Sequence, residues 1–298
     1  MKERILNIET VHQCNCCLGC KTLHPLVSVI DLSKSNLEQQ IIKFDFYTIL
    51  MMEGEIDGVL YGRKYYDYSN ASLVFLTPGE SIKINKSKAL PSKGWLLAFH
   101  PDLISQTSLG EHIKDYSFFF YNPEEALHLS QREKAKAVEC ICNIEEELRH
   151  AIDCHSQILI SRYIELLLDH CNRFYERQFI TRCEANKKIM KKTDVLLKDY
   201  ILSGKLKYNT SPSLGYCAKI LQLSSHYFND LLKFESGKNI DEYFESKRLE
   251  MAKSMLLDSN NTVNVVTEKL GYPNIRYFSR LFKRITGVAP NNYRLSQN

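Results

Sequence analysis

Near the carboxyl end of this 298-residue chain one pattern is written twice. Gly215 to Lys233 and Val263 to Lys283 each read as an apolar-periodic helix, a short break, and a second helix opening on Tyr-Phe-x-x-Leu. Each copy closes on a glycine suited to a left-handed cap, Gly237 in the first and Gly287 in the second. Two short helices joined by a turn of a few residues pack at a steep angle, which is helix-turn-helix geometry. The turn needs a permissive residue. Gly271 supplies it in the second copy, whereas Gln222 stands there in the first. Ser224 and Asn274 are placed to cap the second helix of each pair.

Helical spacing puts Tyr227, Phe228, Leu231 and Leu232 on one face of the first copy, and Tyr277, Phe278, Leu281 and Phe282 on the same face of the second. Those faces are expected to be buried. The opposite faces then carry Ser225, His226, Asn229 and Asp230, and Ile275, Arg276, Ser279 and Arg280. Such side chains suit the major groove: arginine forks onto guanine, asparagine onto adenine, and isoleucine touches a thymine methyl. Asp230 can accept from a cytosine amine or hold a neighbouring lysine. One turn further on, Lys233, Lys283 and Arg284 are expected to reach phosphates.

Between the copies, Ile240 to Asp258 reads as one helix with Tyr243, Phe244, Leu249, Ala252, Leu256 and Leu257 as its stripe. Nineteen residues at about 1.5 Å each span roughly 28 Å. A DNA turn is about 34 Å, so two reading helices held this way can enter successive major grooves. The charge is distributed to match. Residues 191–298 hold 17 Lys+Arg against 10 Asp+Glu, a net of +7, and residues 1–190 hold 22 against 25. A basic module joined to a mildly acidic one points to a polyanion-binding part and a part with another task.

The second copy resembles the AraC family of bacterial transcription regulators at Gly271-Tyr272, Tyr277 to Lys283, Thr286-Gly287, Pro290 and Tyr293-Arg294. The intervening helix is similar at Arg248, Ala252 and Leu256-Leu257. The likeness covers about residues 191–298, with Thr267 and Gln222 departing from the pattern. It implies an all-α DNA-binding domain of about seven helices and, usually, an N-terminal cupin-like sensor whose helices dimerise. It also implies base contacts from His226, Asn229, Asp230, Ile275, Arg276 and Arg280.

Toward the amino end the period changes. Short apolar runs recur between turn signals at Val27–Ile30, Ile42–Met52, Gly58–Tyr61, Leu73–Leu76, Ile82–Ile84 and Trp95–Phe99. Evenly spaced β-prone runs predict an antiparallel barrel or sandwich. Pro123-Glu124-Glu125 reads as a helix start. Two amphipathic patterns follow, Gln131–Cys154 through Ala135, Val138, Ile141, Ile144 and Leu148, and Gln157–Phe174 through Ile160, Tyr163, Ile164, Leu167 and Leu168. One stripe can cover the barrel and the other can pair with a second copy. Arg173 to Phe179 reads as a helix end packed on a neighbouring domain. The fold class is therefore α+β: a cupin-like barrel with covering or dimerisation helices, then an all-α domain with two helix-turn-helix units. The domains read as 1–180 (β-rich to about 100, helical after about 123), a linker at 181–190, and 191–298.

The sequence points away from other classes. No stretch of about 18 apolar residues marks a membrane span, and the first residues lack a secretory block, so a cytoplasmic protein is expected. A metal-dependent cupin enzyme needs an HxH pair and a glutamate. The β-prone region offers only His100, read as a hydrogen-bonded structural residue, so no catalytic residue and no cofactor are expected. The competing reading is a small-molecule-binding or metal cupin with a helical interaction module. Cys14, Cys16, Cys17 and Cys20, flanked by His12 and His24, fit reduced thiols, a zinc site or an oxidation sensor. Cys140, Cys142, Cys154, Cys171, Cys183 and Cys217 lie in helical patterns and read as core. The expected protein is a sequence-specific regulator of transcription, and the sequence leaves activation versus repression open. Its expected partners are double-stranded DNA, a small-molecule effector of unknown site, RNA polymerase and a second copy of itself.

Overall fold

The computed structural model describes residues 5–34, 41–53, 71–83, 93–207, 211–258 and 260–297. The apolar run Gly58–Tyr61 and Ile84 lie outside them. The chain divides into two units, 1–182 and 183–298. Among the described residues no helix is long and apolar enough to cross a membrane.

Unit 1 begins with β1 (Ile5–Ile8), α1 (Val11–Cys17), β2 (Val27–Asp31), β3 (Ile41–Phe44) and β4 (Tyr47–Glu53). It continues with β5 (Ala71–Leu76), β6 (Glu80–Lys83), β7 (Gly94–Phe99), α2 (Pro101–Ile104), α3 (Ser108–His112) and β8 (Leu127–Leu129). Two long helices close it, α4 (Gln131–Arg149) and α5 (Ser156–Thr181). The strands form two sheets. One has the order β1-β3-β6, with β1 and β3 parallel; the other is antiparallel, β2-β7-β4-β5-β8.

The large sheet is buried on both faces. Leu50, Met52, Val74, Leu76, Leu96 and Ala98 share a core with Ile8, Ile42, Phe44 and Ile82 of the small sheet and with Val11 and Cys14 of α1. The alternate residues Ile49, Met51, Leu73, Phe75, Leu97 and Phe99 face a second core with Ile141 and Ile144 of α4 and Ile164 and Leu168 of α5. A strand buried on both faces loses the apolar-polar alternation, hence the near-continuous run Thr48–Met52. Among the described residues the arrangement is two sheets sharing a core, with no closed barrel, which replaces the barrel expectation.

Other boundaries differ from the sequence reading for local reasons. The run from Ile42 to Met52 is two strands in different sheets. Asp45 turns the chain, donating its N–H to the Ile8 carbonyl at 3.0 Å, and its carboxylate pairs with Lys43 at 3.1 Å. Pro123–Glu125 is a single 3₁₀ turn, and the helix starts at Gln131 instead. There Ser130 and Glu133 form a capping box, which satisfies donors on both sides of the first turn. The α4 stripe runs through Ala137 and Cys140, while Ala135 is exposed. Arg173 to Phe179 is the interior of α5. It packs on its own unit: the Tyr175 hydroxyl donates to the Glu125 carbonyl, and Arg177 bonds both Glu133 and the His128 carbonyl. Cys140, Cys171 and Cys217 are buried as expected, but Cys142, Cys154 and Cys183 are exposed because they fall on the solvent sides of their segments.

Unit 2 is helical: α6 (Cys183–Leu202), α7 (Leu214–Leu221), α8 (Ser225–Ser236), α9 (Ile240–Leu257), α10 (Val263–Lys269), α11 (Ile275–Thr286) and α12 (Pro290–Gln297). The segment 181–190, read as a linker, is helical on both sides of Arg182. The core gathers Leu197 and Ile201, Cys217 and Ala218, Phe228 and Leu232, Phe244, Ala252 and Leu256, Val266 and Leu270, and Phe278 and Phe282. Leu257, assigned to the stripe of α9, is 44% exposed, and Ile240 takes a place in the core instead.

One buried polar residue ties β8 to α5. Gln178, 1% exposed, accepts from the His128 N–H at 2.8 Å and donates to the Ala126 carbonyl at 3.2 Å. Replacing Gln178 by Leu strands two buried backbone groups, at a cost of about 2–3 kcal/mol. Trp95, the single tryptophan, lies in β7, so its fluorescence in a urea titration isolates unit 1. The Gln178→Leu transition is expected at lower urea, and an unchanged midpoint would show that the amide contributes nothing.

Candidate nucleic-acid interface

The two helix pairs are built on the same turn. After α7 the chain passes through Gln222 at φ 59°, and after α10 through Gly271 at φ 67°, both left-handed. The Leu223 N–H reaches back to the Ala218 carbonyl at 3.0 Å, and the Tyr272 N–H to the Thr267 carbonyl at 3.0 Å. Gln222 N–H bonds the Lys219 carbonyl and Gly271 N–H the Glu268 carbonyl. This nested pair of bonds satisfies carbonyls that a helix end leaves open and reverses the chain within three residues. The second turn is one residue longer, with Pro273 ahead of the cap. Ser224 Oγ accepts from Tyr227 N–H at 3.1 Å, and Asn274 Oδ1 from Tyr277 N–H at 2.8 Å, so both expected caps are in place.

The second turn is also clamped from α9. Arg248 donates to the Leu270 carbonyl through Nε and Nη2 at 3.0 and 2.7 Å and to Glu245 through Nη1 at 2.8 Å. Its guanidinium lies over the Tyr272 ring, 3.9 Å from the centroid, and the Tyr272 hydroxyl donates to Glu245 at 2.8 Å. Burial pushes the Tyr272 phenol well above the ordinary tyrosine value, so it stays a donor. Arg294 of α12 plays the matching part at the far end of α9, bonding the carbonyls of Leu256 and Asn261. Two arginines of the sequence resemblance therefore hold helix ends. Thr267, a departure from the family pattern, is buried with its hydroxyl donated to the Val263 carbonyl at 2.7 Å, so the polar atom is satisfied within its own helix.

These constraints fix which side of α8 and α11 faces water. Phe228, Leu231, Leu232, Phe278, Leu281 and Phe282 are buried as spacing expects. On α8, His226 and Lys233 are exposed, and Ser225, Asn229 and Asp230 are half-buried. Asn229 donates to the Asp230 carboxylate at 3.3 Å, which engages part of both side chains within the helix. On α11, Ile275, Arg276, Arg280, Lys283 and Arg284 are exposed and Ser279 is half-buried. The faces differ in charge: the expected contact set of α11 carries four cations, and that of α8 carries Lys233 beside Asp230. Ile275 and Arg276 also border an open hollow of about 640 Å³ against Asn264 and Glu268 of α10.

One residue departs from the repeat. Tyr227 is 4% exposed, but Tyr277 is 52% exposed, beside Arg276 and Arg280 on the solvent side. The expected burial of Tyr277 is thus overturned, and an aromatic is added to the exposed face of α11. Both tyrosines hold the third position of their helices, so spacing alone does not separate them.

The cysteine-rich segment is elsewhere, in unit 1. Cys14 points into the core, and burial with nearby Cys17 and Cys20 pushes its thiol up to about 12. Cys16 and Cys17 are exposed. Among the described residues no three His, Cys, Asp or Glu side chains converge as metal ligands. His100 caps α2, its Nδ1 accepting from the Asp102 N–H at 3.2 Å.

A family model described as a helix-turn-helix domain matches residues 217–296. The HTH-type transcriptional regulator YobQ of Bacillus subtilis is 39% identical over 77 residues, covering 26% of this chain and 32% of that protein. The raffinose operon transcriptional regulatory protein RafR of Pediococcus pentosaceus is 34% identical over 89 residues, covering 30% of this chain and 32% of that one. The xylose operon regulatory protein of Escherichia coli is 32% identical over 62 residues, covering 21% and 16%. The chain thus spans between 11% and 32% of the length of such relatives. Among solved structures, the C-terminal domain of AraT, a response regulator from Geobacillus stearothermophilus, is 28% identical over 35% of this chain and 84% of that one, with a TM-score of 0.28.

The turns carry an opposed pair of predictions. Gln222→Gly removes a side chain from a left-handed residue, relieving about 1–2 kcal/mol of strain, less the flexibility gained when unfolded, and should raise the stability of unit 2 by up to about 1 kcal/mol. Gly271→Ala adds a Cβ 2.6 Å from the Leu206 Cβ and 2.9 Å from its carbonyl oxygen at the same backbone angle. It should lower stability by about 2–4 kcal/mol. Far-UV circular dichroism during thermal unfolding of each full-length variant reads both. Shifts of the same sign would contradict the account of the turns.

Proposed function

We propose, from the premise that residues 217–296 are a helix-turn-helix domain of the AraC type, that this chain is a transcription regulator that reads double-stranded DNA with two helix-turn-helix units. The single observation that carries this reading is the pair of capped, left-handed turns, each followed by a helix whose apolar side is buried and whose opposite side is exposed or half-buried. α8 and α11 are the reading helices. Ser225, His226, Asn229, Asp230, Ile275, Arg276, Ser279 and Arg280 face the bases, and Lys233, Lys283 and Arg284 meet phosphates. α9, 18 residues and about 27 Å long, spaces the two for successive major grooves. With most of the cations, α11 supplies the larger share of affinity. α8, with its amide, imidazole and carboxylate, supplies discrimination.

Residues 1–180 form the sensor and dimerisation domain and 191–298 the DNA-binding domain, with 181–190 between them. A small molecule held in the cupin-like part alters how the regulator occupies its sites or meets RNA polymerase. The names of two similar proteins, for raffinose and xylose operons, are compatible with such control. α5 is the surface for a second copy: Leu159 and Leu166 lie two turns apart, 38% and 45% exposed.

Binding sites selected from a random duplex pool and titrated by fluorescence anisotropy test this reading. Arg276→Ala and Arg280→Ala are each expected to cost about 1–3 kcal/mol on the selected site and to relax preference at one or two positions. Lys283→Ala should weaken all sequences alike and reduce the salt slope by about one. Failure to enrich any sequence, or arginine variants that bind like wild type, would end the reading.

A further inference from the structure

α1 holds a chemical arrangement that DNA binding does not use. Cys16 Sγ lies 3.6 Å from His12 Nε2, one helical turn away, and both side chains are exposed. The imidazole is held from behind. His12 Nδ1 is 2.8 Å from Thr22 Oγ1, which also accepts from Asn15 Nδ2 at 3.2 Å. Asn15 is fully buried, and its Oδ1 accepts from the Ser28 hydroxyl of β2 at 2.6 Å. That bond fixes the amide with its NH2 toward Thr22, so the Thr22 oxygen serves as an acceptor. Thr22 Oγ1 can accept from His12 Nδ1 as well as donate to it, and the tautomer with its hydrogen on Nδ1 is the one that turns the Nε2 lone pair toward the thiol. The helix holding the pair is itself anchored. Thr10 and Gln13 form a capping box, and Val11 and Cys14 are in the core. A thiol, a base within reach and a third group orienting the base are the parts of an activated nucleophile.

We propose that Cys16 is a reactive thiol activated by His12, a modification site that exchanges with low-molecular-weight disulfides. The step balances without another reagent. Cys16 gives its proton to His12 Nε2, and its sulfur attacks one sulfur of the small disulfide. A new S–S bond forms as the old one breaks, and the departing sulfur leaves as a thiolate with the bonding pair and takes up a proton. One disulfide is lost and one gained. Thr22 is a positioning residue, acting through His12. The other cysteines are internal references: Cys17 is exposed on the same helix, Cys154 is exposed elsewhere in unit 1, and Cys14 is buried.

The test is site-resolved reaction of the full chain with 5,5′-dithiobis(2-nitrobenzoate) at limiting reagent, each cysteine followed by mass spectrometry of quenched digests. Cys16 is expected to react about tenfold faster than Cys17 and Cys154, and His12→Gln to remove that advantage. Thr22→Val should slow Cys16 and Thr22→Ser restore it. Labelling of Cys14 reports unfolding; if His12→Gln exposes Cys14, the Thr22 pair decides. Cys16 reacting no faster than Cys17 and Cys154, or an unchanged rate in folded His12→Gln, overturns the proposal. So does equality of Thr22→Val and Thr22→Ser.

Discussion

A chain reversal through one left-handed residue is the constraint on which unit 2 depends. At Gln222 and at Gly271 the backbone turns back on itself and spends its own N–H groups on the carbonyls of the helix just ended. With those groups satisfied, the next helix leaves with Phe228 or Phe278 turned inward. The second turn is held further by Arg248, which bonds the Leu270 carbonyl and lies on Tyr272. The direction of each second helix is therefore decided by backbone chemistry three or four residues before it begins.

Much of unit 2 was legible because its causes are local. Caps at Ser224 and Asn274, left-handed caps at Gly237 and Gly287 and the 3.6-residue period are all written within a turn or two of where they act. What was not legible sits at the edges of stripes. Tyr277 and Leu257 are exposed and Ala137 rather than Ala135 is buried, because an edge position is settled by the element that covers it, and that element comes from elsewhere in the chain. The clamping roles of Arg248 and Arg294 were hidden for the same reason. Their acceptors are carbonyls 22 and 33–38 residues away.

In unit 1 the strands were legible and their assembly was not. An apolar run says that a strand is covered on both faces, but not whether its sheet closes on itself or stacks on another. The turn at Asp45, which sends Ile41–Phe44 into one sheet and Tyr47–Glu53 into the other, carries only a weak signal inside an apolar run. The cysteine-rich segment reads differently once folded. Four thiols in seven residues suggest one site, yet the helix separates them, with Cys14 in the core and Cys16 outside beside His12.

The central claim is that two helices of one chain read two segments of duplex. Methylation protection of guanines on a selected duplex measures this directly, because the reagent attacks N7 in the major groove. The account predicts two protected patches centred about 10 base pairs apart on one face of the DNA. One protected patch, or no protected guanine on the bound duplex, would contradict it.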